Sequence, residues 1–226
     1  MTALPPDQPE LFVKICGVTS EADALLAVGM GASAVGFIFA PSPRQMAVSK
    51  VADIVKRLPQ DTLAIGVFRD EASQRVVDIV HQAGLSGAQL HGHETPAMTQ
   101  YVRERVGCVI KAFPAGSPRL RETELFGADL VLVDSPTPGR GRLIDFAALA
   151  GLGDASRLVL AGGLTPENVG EAIQRVSPFG VDVATGVESS PGVKDPRKVA
   201  AFVAAARAAA PARPTVADEP FDWRQT

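Results

Sequence analysis

Cys16, one of only two cysteines in 226 residues, closes the apolar run "FVKIC" just before a glycine. Asp134 ends a second such run, "LVLVD"; His91 follows Gln89 in "GAQLHG", and Asp182 lies in "GVDVATG". A thiol and a carboxyl are groups that can take and give a proton in a reaction, and Lys14, two positions before Cys16, is expected to favour the thiolate. Arg44, in "FIFAPSPRQMA", carries a planar fork that can hold a carboxylate through two parallel hydrogen bonds. Three late segments are rich in glycine: "TPGRGR" at 137–142, "LAGGLTPENV" at 160–169 and "ATGVES" at 184–189. Glycine lets backbone N–H groups approach an anion closely, and a helix beginning after Gly163 would add its positive dipole end. Together these residues point to proton transfer on a small anionic molecule carrying a phosphate.

Elements must bring these groups together. Apolar runs rich in Val, Ile, Leu and Phe recur near 11–16, 34–39, 63–68, 87–91, 108–113, 130–134, 157–162 and 180–185, and each has the length of a strand. Between them lie helical patterns such as 50–58, 72–84 and 166–176, and Thr19 or Ser20 can cap a helix over 22–28. Alternating strand and helix implies a parallel sheet, because each crossover must return the chain along the sheet. Eight such units within residues 1–210 predict a single α/β domain, a (β/α)8 barrel of eight parallel strands closed on itself. The rival, an open doubly wound sheet, would carry a G-x-G-x-x-G fingerprint after its first strand, where this chain has "CGVTSE". Residues 211–226, with Pro, Asp and Glu after the alanine-rich last helix, read as a loose tail that Trp223 could pin to a groove.

Barrel strands point alternate side chains inward, which makes parity a test. Lys14 and Cys16 oppose Val13 and Ile15; Gln89 and His91 oppose Ala88 and Leu90; Lys111 opposes Ile110 and Ala112; Asp134 opposes Val131 and Val133; Asp182 opposes Val181 and Val183. These seven polar side chains are therefore expected in the lumen, with two lysines compensating two aspartates. Several fall at the last strand position, beside the loops where barrel active sites are built. Cys108 opens its strand at the opposite end and reads as structural.

Composition narrows the partners. With 46% hydrophobic and 21% charged residues the chain can bury a sizeable core, and a formal charge of -3 supplies no basic field for nucleic acid or an anionic membrane. Two cysteines 92 positions apart suit neither a metal site nor a disulfide scaffold, so a reducing compartment, by default the cytoplasm, is expected. No window is long and apolar enough for a membrane span, and "MTALPPDQPE" lacks the features of a secretory signal. Monomer and homodimer both stay open.

In order, "KICG", "GFIFAPSPR", "GVF", "QLHG", "LVDS" with "GRG" and "DF", "LAGGLTPENV" and "VDVATGVESSPGVKD" span about residues 12–206. This ordered set resembles the phosphoribosylanthranilate isomerase family of tryptophan biosynthesis. The resemblance implies an Amadori rearrangement of an aminoaldose to an aminoketose without redox cofactor or metal. It implies Cys16 as general base, Asp134 as general acid and Arg44 as the reader of the anthranilate carboxylate. It further implies Gly141, Gly162, Gly163 and Gly186 as the phosphate cradle, with Asp182 and His91 on the ribose chain. Two features depart from the family: the sixth loop is the short "PGRGRLIDF" with Arg140 and Arg142, and the final sixteen residues have no counterpart. The alternatives are another sugar-phosphate barrel isomerase and a catalytically silent barrel that binds a phosphorylated ligand.

Overall fold

The structure, a computed structural model, describes residues 11–135, 149 and 157–210. Gly141, Arg140, Arg142 and the 211–226 tail lie outside the described residues. Eight strands close into a parallel barrel: β1 (Phe12–Cys16), β2 (Ala34–Ile38), β3 (Leu63–Phe68), β4 (Gly87–Leu90), β5 (Val109–Pro114), β6 (Leu130–Asp134), β7 (Leu158–Leu160) and β8 (Gly180–Val183). β8 pairs back onto β1 with Lys14 opposite Asp182, which removes both sheet edges. All eight strands expected from the apolar runs are present.

Helices α1 (Glu21–Gly29), α2 (Val48–Val55), α3 (Ser73–Ala83), α4 (Pro96–Arg103), α5 (Val169–Val176) and α6 (Pro196–Ala209) cover the outside. Their ends follow local chemistry. Ser20 caps α1 by accepting from the Asp23 N–H, Thr95 caps α4 just ahead of Pro96, and Asp195 caps α6 by accepting from Arg197 and Lys198. The helix expected from 166 begins three residues later, because the Asn168 side chain accepts from Thr165 N–H and donates to the Gly163 carbonyl, holding the intervening turn. After β5 the crossover is a 3-10 segment, Pro118–Phe126, with a break at Glu122. An unforeseen two-stranded hairpin, β9 (Glu188–Ser190) and β10 (Val193–Lys194), follows β8.

Two apolar cores separate by strand parity. Phe12, Ala34, Ile65, Ile110, Leu132 and Val159 fill the barrel, while Val13, Val35, Leu90, Val133 and Val181 pack outward against the helices. Burying both strand faces is what makes the runs almost continuously apolar. No helix among the described residues is long and apolar enough to cross a membrane.

Candidate active site

Lys14 and Cys16 share the inward parity of Phe12, so β1 carries an ammonium and a thiol up the lumen towards its C-terminal rim. Lys14 is fully buried and donates to Asp182 Oδ1 at 3.0 Å across the β1–β8 seam. Burial alone would pull the lysine pKa down, yet chiefly the Asp182 carboxylate carries it above its ordinary value. Gly36 is the partner of Cys16 on β2, and a Cβ there would stand 2.9 Å from Sγ and 3.0 Å from Lys14 Nζ. The missing side chain is the space in which thiol and ammonium lie side by side.

The expectation that Lys14 makes Cys16 a ready thiolate needs correction. Burial pushes the thiol pKa up; Lys14 pulls it down, but not far enough to win, and Asp182 adds to the upward push. A pKa raised above the ordinary thiol value favours the neutral form of Cys16, and once ionised it is a correspondingly strong base. Cys108, packed in the inner core before β5, is pushed up to about 12 by burial and the nearby Asp129 carboxylate, which suits an inert filler.

Asp134 ends β6, which lies three strands from β1 around the barrel, and its Oδ1 accepts from the Ser135 N–H at 2.7 Å. Its Oδ2 faces His91 Nε2 at 3.3 Å, and Gln89 Nε2 donates to His91 Nδ1 at 2.9 Å. An amide nitrogen only donates, so Nδ1 accepts and a neutral ring carries its proton on Nε2, towards Asp134. Gln89 Oε1 is buried without a partner among the described residues. Turning that amide over would let Oε1 accept an Nδ1 proton and leave Nε2 as an acceptor. The Gln89–His91 pair can thus offer Asp134 either a donor or an acceptor.

Lys111 does not join this group. Ile110 and Ala112 take the inward positions of β5, so Lys111 projects from the other face and its ammonium is held by Glu94 Oε2 at 2.8 Å and the carbonyls of Leu90, Gly92 and Ala112. Glu94 in turn accepts from the N–H groups of Asp70 and Gly92. The pair braces the loops after β3 and β4, and Asp134 is served by a histidine instead of a second lysine.

Gly162 and Gly163 follow β7 with φ of +86° and +68°, a left-handed backbone that side chains rarely adopt. A Cβ on Gly162 would crowd the Ser135 N–H and stand 2.8 Å from Asp134 Oδ1, so this loop lies against the acid. Gly186, in the short turn after β8, abuts the Leu164 carbonyl. The two late loops are therefore contiguous on the rim that carries Asp134.

Arg44 reaches over the end of β1, where a Cβ on Gly17 would meet its Cδ at 2.6 Å. Its Nε and Nη2 donate to the two oxygens of Glu188 at 2.7 and 2.6 Å. Glu188 also accepts from buried Lys194 at 3.0 Å, and Lys194 donates to the carbonyls of Cys16 at 2.6 Å and Ala184 at 3.1 Å. Glu188 and Lys194 were not among the residues singled out from the sequence. The only signal was two opposite charges within the hairpin segment "ESSPGVK", which reads as a solvated loop.

Among the described residues no three of His, Cys, Asp and Glu come together so as to hold a metal ion. The sequence model described as N-(5'phosphoribosyl)anthranilate (PRA) isomerase matches residues 13–205.

The chain belongs to the N-(5'-phosphoribosyl)anthranilate isomerase family.

The family member from Desulforudis audaxviator is 43% identical over 205 residues, covering 88% of this chain and 98% of its own. The phosphoribosyl anthranilate isomerase of Thermus thermophilus superposes with a TM-score of 0.79 at 37% identity, over 86% of this chain and 98% of that one. A further phosphoribosyl anthranilate isomerase, solved in complex with reduced 1-(o-carboxyphenylamino)-1-deoxyribulose 5-phosphate, has a TM-score of 0.77 at 35% identity, covering 88% of this chain and 99% of that one. Membership of the phosphoribosylanthranilate isomerase family agrees with the closed barrel and with a rim bearing a thiol, a carboxyl and glycine loops.

Proposed function

We infer that this chain catalyses the Amadori rearrangement of N-(5-phosphoribosyl)anthranilate to 1-(2-carboxyphenylamino)-1-deoxyribulose 5-phosphate in tryptophan biosynthesis, with Cys16 as general base and Asp134 as general acid. The observation that carries the assignment of roles is that both groups end lumen-facing strands at one rim, three strands apart.

Asp134 gives its proton to the furanose ring oxygen as the C1–O bond breaks and the anilino nitrogen lone pair forms the Schiff base. Cys16 then removes the C2 proton, and those electrons move through C1 to the nitrogen, giving an enolamine. Loss of the O2 proton and protonation at C1 yield the ketone, so the reaction is an isomerisation that leaves no net proton with the enzyme. His91 and Gln89 position Asp134 and can change which partner it meets. Lys14 offsets the burial that resists Cys16 ionisation, and Asp182 holds Lys14 in place.

Gly162, Gly163 and Gly186 receive the phosphate at the late loops, with Gly141 assigned to the same cradle by family resemblance. Arg44 takes the anthranilate carboxylate. The reducing cytoplasm suits a chain whose two buried cysteines are both unpaired. The test mixes purified protein with freshly made phosphoribosylanthranilate and follows the loss of its fluorescence, with the histidine-pathway aminoaldose as comparison. Turnover of the first supports the assignment; turnover of neither, by folded protein, overturns it.

A further inference from the structure

We propose that Glu188 is a specificity-determining positioning residue: clamped by Lys194, it takes one edge of the Arg44 guanidinium and so turns the remaining edge towards a single carboxylate on the aromatic ring of the substrate. The inference rests on the reading of Arg44 as the carboxylate's partner.

A guanidinium has five N–H donors in one plane. Glu188 engages the one on Nε and one on Nη2 through both of its oxygens. One donor on Nη2 and two on Nη1 are left, and they form a second fork matched to another carboxylate. Arg44 retains 13% of its side-chain exposure at the barrel mouth, whereas Glu188 retains 4% and Lys194 none. Glu188 therefore faces protein and Arg44 faces the mouth.

The clamp is anchored from behind. Lys194 Nζ ties Glu188 to the carbonyl of Cys16, at the end of β1, and to that of Ala184, after β8. Lys198 Nζ donates to the Glu188 carbonyl at 2.8 Å, and Thr19 Oγ1 donates to the Gly192 carbonyl at 2.5 Å, so the hairpin is stapled over the strand that bears the thiol. The carboxylate reader and the thiol are thereby referenced to the same strand end. Charge supports the same reading: Arg44, Lys194 and Glu188 sum to one positive charge, which one carboxylate neutralises. Without Glu188 the buried Lys194 ammonium would face the Arg44 guanidinium with no counter-charge between them, and Arg44 would lose its fixed plane.

The experiment compares two substrates: phosphoribosylanthranilate and the carboxylate-free analogue made from aniline and ribose 5-phosphate. The ratio of their kcat/KM values measures how well the carboxylate is read. Glu188→Gln keeps size but removes the charge and one acceptor, and it is expected to lower this ratio about tenfold, mainly through KM of the anthranilate substrate, with a much smaller fall for the analogue. Arg44→Ala lowers the ratio further, and adding Glu188→Gln to it changes nothing more, because Glu188 acts through Arg44. If Glu188→Gln does not fold, Glu188→Asp, which keeps the charge but is one methylene too short for both teeth of the fork, is read in the same way. An equal fall for both substrates, or no change in the ratio, overturns the proposal. A ratio that survives Arg44→Ala overturns the underlying assignment of Arg44 instead.

Discussion

Replacing Gly36 by alanine puts one methyl group into the space shared by Cys16 and Lys14. The backbone permits it, since Gly36 is not among the glycines of positive φ. The added Cβ would stand 2.9 Å from Sγ, 3.0 Å from Lys14 Nζ and 3.2 Å from Cys16 Cα. Comfortable heavy-atom contacts lie at about 3.5–4.0 Å, so the thiol must retreat by roughly 0.6–1.1 Å or the two strands must part. A reacting group misplaced by about 1 Å can cost about 100-fold in rate, and overpacking costs about 1–3 kcal/mol in stability. The expected outcome is kcat reduced about 100-fold, with Tm lower by about 2–4 °C per kcal/mol of destabilisation. The control is Gly66→Ala, whose Cβ would meet Phe68 at 2.8 Å and Leu85 at 2.9 Å on the outward face of β3. It suffers comparable crowding away from the thiol and should lose stability while keeping kcat within a few-fold. The fluorescence assay with thermal denaturation of both variants decides the matter. Equal kcat for the two, at either level, would refute the claim that the space beside Gly36 is reserved for the reacting thiol.

Cys16→Ala and Asp134→Asn should each lower kcat by about 100- to 10,000-fold, the range of a lost general base or acid, while Cys108→Ala stays nearly as active; steady-state kinetics on all three checks this. Because the base works deprotonated and burial raises its pKa, kcat/KM should still be climbing above about pH 8.5, the ordinary cysteine value. Lys14→Met removes the group that pulls this pKa down, so the rise should move to higher pH, and a profile that is flat there or unmoved would count against Cys16. Glu94→Ala leaves the Lys111 ammonium buried without its counter-charge and should destabilise the fold by about 3–5 kcal/mol in denaturant titration, whereas the isosteric pair Lys111→Met with Glu94→Gln should lose much less.

The fold was legible because its signals are local and repeated. Strand length, double-sided burial and intervening helices with Ser, Thr or Asp caps are written along the chain, and eight repeats of that rhythm require closure or a long open sheet. Helix ends were less legible where a side chain reaches across a turn, as Asn168 does before α5. The 3-10 crossover at Pro118–Phe126 buries only Leu120 and Phe126 and leaves Leu125 exposed, without the apolar stripe of a longer helix.

The sequence by itself determined which strand ends carry a thiol, a carboxyl and glycine loops, since position along a strand fixes the end of the barrel and parity fixes the face. Parity failed for Lys111, where polarity was taken to mean the lumen; four acceptors, one at the end of β4, one within β5 and two in the loop after β4, hold that ammonium outside it. Only the tertiary structure decided the pairings: Lys14 with Asp182 across the barrel seam, His91 with Asp134, and Arg44 with Glu188 over 144 residues of chain. It also decided the direction in which the Cys16 pKa moves, because the contest between burial and a neighbouring ammonium depends on how much water the closed barrel excludes. That exclusion is a property of the assembled walls, and no stretch of residues encodes it alone.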